Sequence, residues 1–469
     1  MSRQLARSSI APIALATIAI ACGPGARHGD PTAPKNASPP HVVRLDAEIG
    51  AVRDAVVPAR LQGNLARLVA FRTRNACSKP DGATGIGAAR AFIVAQLASI
   101  LGMQTTIDPF TIDACGEPTD LGNVVGWLPG RDPRRLIVIG GHYDSRSTER
   151  NDGTVAAPGA NDSGSQTAVV LEVARMMAGH PYDATVVFVA FAAEEQGLLG
   201  SKAFVAHLGA RFPAARVEAM LDCDIVGGDV AANDATELQQ FRLYSPGTPR
   251  EIGKAKDGTT DDTSPARGLM RFVGEWGGRY VPSMTMVPKL REDRVGRGGD
   301  HMSFLDAGLT AVRFIETDET FAHQHSPDDV VANMTPAYAA RIAQVVASVA
   351  ASLARAPIAP RGLTVANPGP GKQLLQWIPT STRADAYVIG VRSEKENLYR
   401  LRLDALPGAT TFALDETALG LGAAPYWVSV AALDRDGHES LFAYPELRCD
   451  QGKCKAPTDA ADVTTAIKE

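Results

Sequence analysis

Two rhythms of apolar residues divide the chain. Between residues 46 and 71 apolar positions fall at helical spacing (Leu61, Leu65, Leu68, Val69), and the same spacing returns over Ala88–Leu101, because residues three and four apart share one face of an α-helix. The middle of the chain alternates short apolar runs with longer ones. Leu136–Gly140, Ala184–Ala192 and Val217–Val226 read as strands, and Gly164–Met177 and Pro336–Ala354 as helices. The strands are apolar at successive positions, so both faces are expected to be buried. That predicts an α/β fold, a mixed, mostly parallel sheet flanked by helices. Residues 229–300, rich in Gly, Pro and charge, fit neither rhythm and are expected to form loops or an insertion over the sheet. After Ala356 the rhythm shortens. Pro357 and Pro360 mark a linker, and Leu363–Val365, Leu374–Trp377, Tyr387–Val391, Thr411–Leu414 and Tyr426–Ala431 read as short strands. Asp434–Ser440 is a turn before a last strand, and the set predicts a C-terminal all-β sandwich. The expected division is therefore 46–355 for the α/β domain, 356–454 for the sandwich and 455–469 for a disordered tail.

Composition narrows the function classes. The chain has 469 residues, 45% hydrophobic and 21% charged, which excludes wholesale disorder. Lys+Arg is 47 against Asp+Glu 52, a formal charge of -5, so nothing points to a nucleic-acid partner. No uncharged apolar run reaches the ~18 residues of a membrane-spanning helix.

The N-terminus reads as a leader. Arg3 and Arg7 precede the uncharged stretch Ser8–Ala21, long enough for a signal-peptide core and too short to span a bilayer. Ala19-Ile20-Ala21-Cys22-Gly23 resembles the lipobox of bacterial lipoproteins, whose cysteine is lipidated at the new N-terminus; Ala19 departs from the Leu more usual there. The alternative is a plain secretory signal with a coincidental cysteine. Both readings imply export, either to the bacterial cell envelope, with membrane attachment through lipidated Cys22, or into the medium. Residues 23–45 then form a flexible linker. Export makes disulfides expected. Cys449 and Cys454 enclose a short loop suited to a local bridge, Cys77 and Cys115 could pair, and Cys223, inside an apolar run, reads as a buried small hydrophobe.

Three of the strands run into metal-ligand residue types. The first leads to His142-Tyr143-Asp144, the second to Glu194-Glu195-Gln196-Gly197, and the third carries Asp222 and Asp224 near its exit. In an open α/β sheet the ligand crevice lies beyond the carboxyl ends of the strands, so such residues converge there. Loops add Asn161-Asp162-Ser163-Gly164 and His323-Gln324-His325-Ser326-Pro327-Asp328. Each element alone is ordinary: a Glu pair usually starts a solvated helix, and a lone His is usually a surface or core residue.

In this order the elements resemble the M28 family of co-catalytic zinc aminopeptidases over most of residues 65–355, and Gly298-Gly299-Asp300-His301 with Phe304 match as well. The resemblance implies a zinc-exopeptidase-like fold and two Zn2+ ions, one held by His142, Asp162 and Asp224, the other by Asp162, Glu195 and His325. Asp162 would bridge, and Glu194 would be the general base. Asp222 and Asp224 are two apart and share a strand face, so alternation does not separate them. Asp224 is preferred because Asp224-Ile225-Val226-Gly227 resembles the family's stretch after its ligand, and His325 is preferred over His323 because Ser-Pro-x-Asp follows it. Asp144 is expected to take the free ring N–H of His142, with Asp300 and His301 in supporting roles. Three carboxylates and a bridging hydroxide balance the charge of two divalent ions, and a His/carboxylate set without thiolate suits zinc, with Mn and Co as alternatives.

The activity implied is hydrolysis of N-terminal residues from peptides or proteins. Rival readings are a glutaminyl cyclase of the same fold, whose known members use one zinc; a carboxypeptidase of the folate-hydrolase branch, for which Arg291, Arg294 and Arg297 would supply a basic pocket; and a non-catalytic surface adhesion protein. Trp377, Tyr387 and Val428–Ala432 before Asp436-Gly437-His438-Glu439-Ser440 resemble a fibronectin type III module, a spacer or adhesive surface of unknown partner. Residues 42–70 are either a propeptide or, as their helical spacing suggests, part of the fold.

Overall fold

The computed structural model describes residues 40–79, 82–228, 237–247, 263–293, 297–317, 319 and 321–457. The leader, the lipobox cysteine and most of the linker and tail fall outside them. Eight strands form the main sheet: β1 (Gln104–Ile112), β2 (Thr119–Leu128), β3 (Asp132–His142), β4 (Ala184–Phe191), β5 (Arg216–Cys223), β6 (Gln240–Tyr244), β7 (Thr285–Lys289) and β8 (Ala311–Glu316). Their order is β1-β2-β4-β3-β5-β8-β6-β7. The centre, β4-β3-β5-β8, is parallel, while β1, β2 and the β6–β7 pair join it antiparallel. Every residue of β4 is buried, as both-face coverage by helices requires. Helix Pro336–Arg355 is long and apolar enough to cross a membrane, yet 83% of its most apolar window is buried inside the protein, so it packs as a core helix.

Three expectations are corrected. The helical stretch 46–71 is two helices, Ala47–Asp54 and Pro58–Val69, because Pro58 cannot continue a helix but suits the first turn of the next. Leu61, Leu65 and Leu68 of that second helix are fully buried in the main core, which favours its being part of the fold. The run Val217–Val226 ends as a strand at Cys223, and Ile225 takes a left-handed backbone (φ 53°). Residues 229–300 do not merely cover the sheet: β6 and β7 extend it.

The C-terminal region is an antiparallel two-sheet sandwich. Arg361–Gly369, Lys372–Ile378 and Thr411–Asp415 form one sheet; Leu401–Ala405, Ala386–Ser393, Tyr426–Leu433, Glu439–Phe442, Leu447–Asp450 and Lys453–Lys455 form the other. Leu375, Trp377 and Leu414 from the first meet Ile389, Val428 and Val430 from the second. Disulfides join Cys77 to Cys115 and Cys449 to Cys454, and Cys223 is free and buried.

Charged pairs fasten the sandwich to the α/β body. Glu446 takes Arg271 of the body at 2.7 Å and Arg392 of the sandwich at 2.9 Å. His438, in the turn before Glu439–Phe442, has both ring nitrogens engaged, Nδ1 with Asp434 at 2.9 Å and Nε2 with Asp46 at 2.7 Å. Arg355 at 3.4 Å from Asp46 and Arg383 at 3.0 Å from Asp434 complete the charges there. Burial alone would lower the His438 pKa, but its bonds to Asp434 and Asp46 outweigh it and hold the value above normal. A raised folded-state pKa means the stabilisation is fully present below about pH 6.5, the unfolded value, and is lost as pH rises through the folded value. Thermal melts of the wild type and His438→Gln should therefore differ most near pH 6 and converge as the pH rises. A gap that stays constant with pH would reject this account.

Candidate active site

The three parallel strands end side by side. His142 is the last residue of β3; β4 leaves the sheet at Phe191 and reaches Glu194 and Glu195 after left-handed Ala193 (φ 56°); β5 ends just before Asp224. Asp162 lies in the turn Ala160–Ser165 that starts helix Gln166–Met177, and His325, itself left-handed (φ 58°), follows β8. Non-glycine residues in this conformation are strained and gather where the surrounding structure fixes a site.

Two groups of side chains result. His142, Asp162 and Asp224 bring ligand atoms within 4.8 Å of one another, and so do Asp162, Glu195 and His325, with Asp162 common to both. His142 Nε2 is 3.4 Å from Asp162 Oδ1 and 3.6 Å from Asp224 Oδ1. His325 Nε2 is 3.0 Å from Asp162 Oδ2 and 3.1 Å from Glu195 Oε1. Asp222 joins neither group: its Oδ2 accepts from the backbone N–H of His301 at 3.0 Å and lies 3.2 Å from the His301 ring. His323 also stays outside both. Asp300 is buried beside this pair as the residue before helix His301–Asp306.

Asp144 has a further task beyond the one expected. His142 Nδ1 lies 3.1 Å from the main-chain carbonyl of Asp144 and 3.5 Å from its carboxylate. The carboxylate also accepts the backbone N–H groups of Glu194 and Glu195, each at 3.2 Å. It thus ties the end of β3 to the end of β4.

Five further residues shape the site, and sequence reasoning assigned none of them a role. Asp329 accepts the backbone N–H groups of Asn161 and Asp162 at 2.7 and 3.0 Å, coupling the His325 loop to the Asp162 turn. Arg74, fully buried, donates to the carbonyls of Tyr143, Leu68, Pro158 and Gly159. Burial pulls its pKa down to about 10, which still leaves it charged at neutral pH. Gly159 closes this turn with φ 52°, and a Cβ there would sit 2.6 Å from the Asp162 carbonyl. Arg146 holds Glu195 Oε2 at 2.6 Å, and Arg313 holds Asp224 Oδ2 at 2.7 Å. The signal for Arg313 was present as a lone charge inside the apolar run Ala311–Ile315.

The cluster has the electrostatics of a cation site. Asp144, Asp162, Glu195, Asp222, Asp224 and Asp300 are all buried. Burial, reinforced by Glu195, Asp300 and Asp224, pushes the Glu194 carboxyl well above its ordinary range, and burial beside Asp224 pushes Asp222 up to about 8. Asp162 Oδ1 and Glu195 Oε1 are buried and make no well-formed hydrogen bond, each lying instead against an imidazole nitrogen, that of His142 at 3.4 Å and of His325 at 3.1 Å. A buried anionic oxygen without a well-formed hydrogen bond is costly, and coordination to a cation resolves it. The donors fit zinc: two imidazoles and three carboxylates, with no thiolate.

The groups open into a cleft of about 620 Å³ whose walls include Glu194, Arg150, Leu198, Met302 and the exposed ring of Phe321. Arg297 also faces it, but its guanidinium is held by both oxygens of Glu319 at 2.5 and 2.6 Å. It is therefore not free to receive a substrate carboxylate, and Arg294 lies outside the described residues.

Known proteins agree with this geometry. The family model described as Peptidase family M28 matches residues 123–350. A protein of Pyricularia oryzae named a probable zinc metalloprotease is 38% identical, over 68% of this chain and 69% of its own length. One of Leptosphaeria maculans with the same description is 33% identical over 76% and 89%. Among solved structures, the LapA aminopeptidase of Legionella pneumophila superposes with a TM-score of 0.51 at 18% identity, over 66% of this chain and 76% of that one. The glutaminyl cyclase of Macrostomum lignano gives 0.50 at 17%, over 67% and 97%. These last two share the fold equally and so do not separate peptidase from cyclase. With sequence relatives of this extent and both side-chain groups in place at the strand ends, the chain belongs to peptidase family M28.

Proposed function

We propose that the protein is a zinc-dependent aminopeptidase that holds two metal ions and removes N-terminal residues from peptides. The observation that carries this reading is the sharing of Asp162 between two complete ligand groups. A single-zinc cyclase needs only one of these two groups, so the second would be left without a use, and the occupied guanidinium of Arg297 speaks against a carboxypeptidase. His142, Asp162 and Asp224 would hold one ion, and Asp162, Glu195 and His325 the other. Zinc held there supplies Lewis acidity, acidifying water and polarising the scissile carbonyl.

The chain's own contribution is proton transfer and orientation. Glu194 faces the cleft without belonging to either ligand group. Its carboxylate accepts the proton of the attacking water and returns it to the leaving amine. Asp144 fixes the backbone of both glutamates, so Glu194 stays over the cleft while Glu195 stays within reach of His325. The leader reading and the two disulfides support export, where such bonds persist.

The test is release of amino acids from a panel of unblocked and N-acetylated peptides, with and without a zinc chelator. Chelator-sensitive cleavage confined to free N-termini is expected. Cleavage of acetylated peptides at the same rate would reject the aminopeptidase reading. Turnover of N-terminal glutamine to a cyclic product without peptide hydrolysis would replace it with the cyclase.

A further inference from the structure

We infer that Arg313 is a positioning residue of the metal centre, committing Asp224 to present a single oxygen. The inference rests on the reading of Asp224 as a ligand. Arg313 sits on β8, paired in register with Asp222 of β5, and only 1% of it is exposed. One guanidinium nitrogen is 2.7 Å from Asp224 Oδ2, and another donates to Asp293 Oδ2 at 3.0 Å. The Tyr244 ring lies beneath the guanidinium, its centroid 5.7 Å from Cζ. Both ends of the fork are therefore fixed, and the group is placed by its surroundings rather than by Asp224 alone.

The backbone closes the same side. A Cβ added to Gly299 would lie 3.0 Å from Asp224 Oδ2 and 3.1 Å from Arg313 Cδ, so the backbone there packs closely against that oxygen. The opposite oxygen, Oδ1, faces His142 Nε2. A carboxylate can bind a metal through one oxygen or two. Here the arginine occupies the outer oxygen and leaves the inner one as the donor. Coordination number is thereby held low, which keeps positions open for substrate. An unclamped carboxylate could rotate and take up a second position.

Full-length zinc-loaded protein carries the test, comparing Arg313→Met, Arg313→Lys, Asp293→Asn and Asp224→Asn. Readouts are kcat and KM on a cleaved peptide, metal retained against a chelator series, and visible absorption after cobalt replaces zinc. Arg313→Met should lose about 10–100-fold in kcat or in resistance to the chelator, the usual cost of removing a partner that orients a ligand. Its cobalt bands should weaken as the coordination number rises. Arg313→Lys, which keeps the charge without the fork, should show a smaller change in the same direction, and it decides the matter if the Met variant does not fold. Asp293→Asn, which keeps the Asp224 contact and leaves an amide oxygen that can still accept from Arg313, should show a smaller change than Arg313→Met. An unchanged cobalt spectrum in the Arg313 variants would overturn the inference. So would an Asp293→Asn variant matching the loss in Arg313→Met, since the arginine would then merely support residue 293. If Asp224→Asn kept its full metal content, the ligand reading beneath the inference would fail as well, a result distinct from loss of metal in Asp224→Asn with no effect at Arg313.

Discussion

Glu194→Gln is expected to keep its zinc and lose about 100- to 10,000-fold in kcat, the range a positioned general base contributes. The substitution is nearly isosteric and removes only the capacity to accept a proton. Glu194 belongs to neither ligand group, so metal content should not change. Its backbone N–H is held by Asp144 whichever side chain follows, so the turn after β4 should keep its shape. The neighbour Glu195 cannot substitute, because its oxygens are directed to Arg146 and His325. Metal analysis and turnover on one preparation check both halves of the expectation. A variant with wild-type kcat would remove Glu194 from proton transfer, and one that lost a zinc would make it a ligand.

The parts of the fold that were legible in the sequence are those whose residues obey one constraint at a time. β3, β4 and β5 are apolar runs because both faces are covered, and the metal-ligand residue types stand where those runs stop. β1 gave no such signal, since it lies at the sheet edge with most residues exposed or half-buried. β6 and β7 are five residues each, too short to stand out among the turns around them. Within the site, alternation could not choose between Asp222 and Asp224. The structure separates them because the strand ends at Cys223 and left-handed Ile225 turns the chain away. Asp144 shows the same limit. Its spacing from His142 suggested a bond to the ring, but a carboxylate two residues on is also within reach of the next strand's end. Arg74 and Arg146 were illegible for another reason. What each does depends on loops distant in sequence, and an arginine's neighbours leave no local pattern.

Arg74→Met should cost about 3–5 kcal/mol, the order seen when one member of a buried charged network is removed. Among the described residues no carboxylate is hydrogen-bonded to the Arg74 side chain, although Asp329, Asp144 and Asp162 lie near enough to favour its charge. Its hydrogen bonds go to four carbonyls, those of Tyr143, Leu68, Pro158 and Gly159, on three separate segments. A thioether fills much of the same volume but donates nothing, and each carbonyl left dry costs about 1–3 kcal/mol. Relief from burying the guanidinium offsets part of that sum. The loss should reach the active site too, because the segment ending at Gly159 sets the turn that carries Asp162, and Asp162 serves both ligand groups. Urea unfolding of the zinc-loaded protein measures the first effect, and zinc content after dialysis the second. Arg74→Lys should recover part of the stability, since an ammonium can reach some of these carbonyls but not all. A Met variant within about 1 kcal/mol of wild type would mean that water or a shift of the Pro158–Gly159 segment satisfies those carbonyls without the arginine.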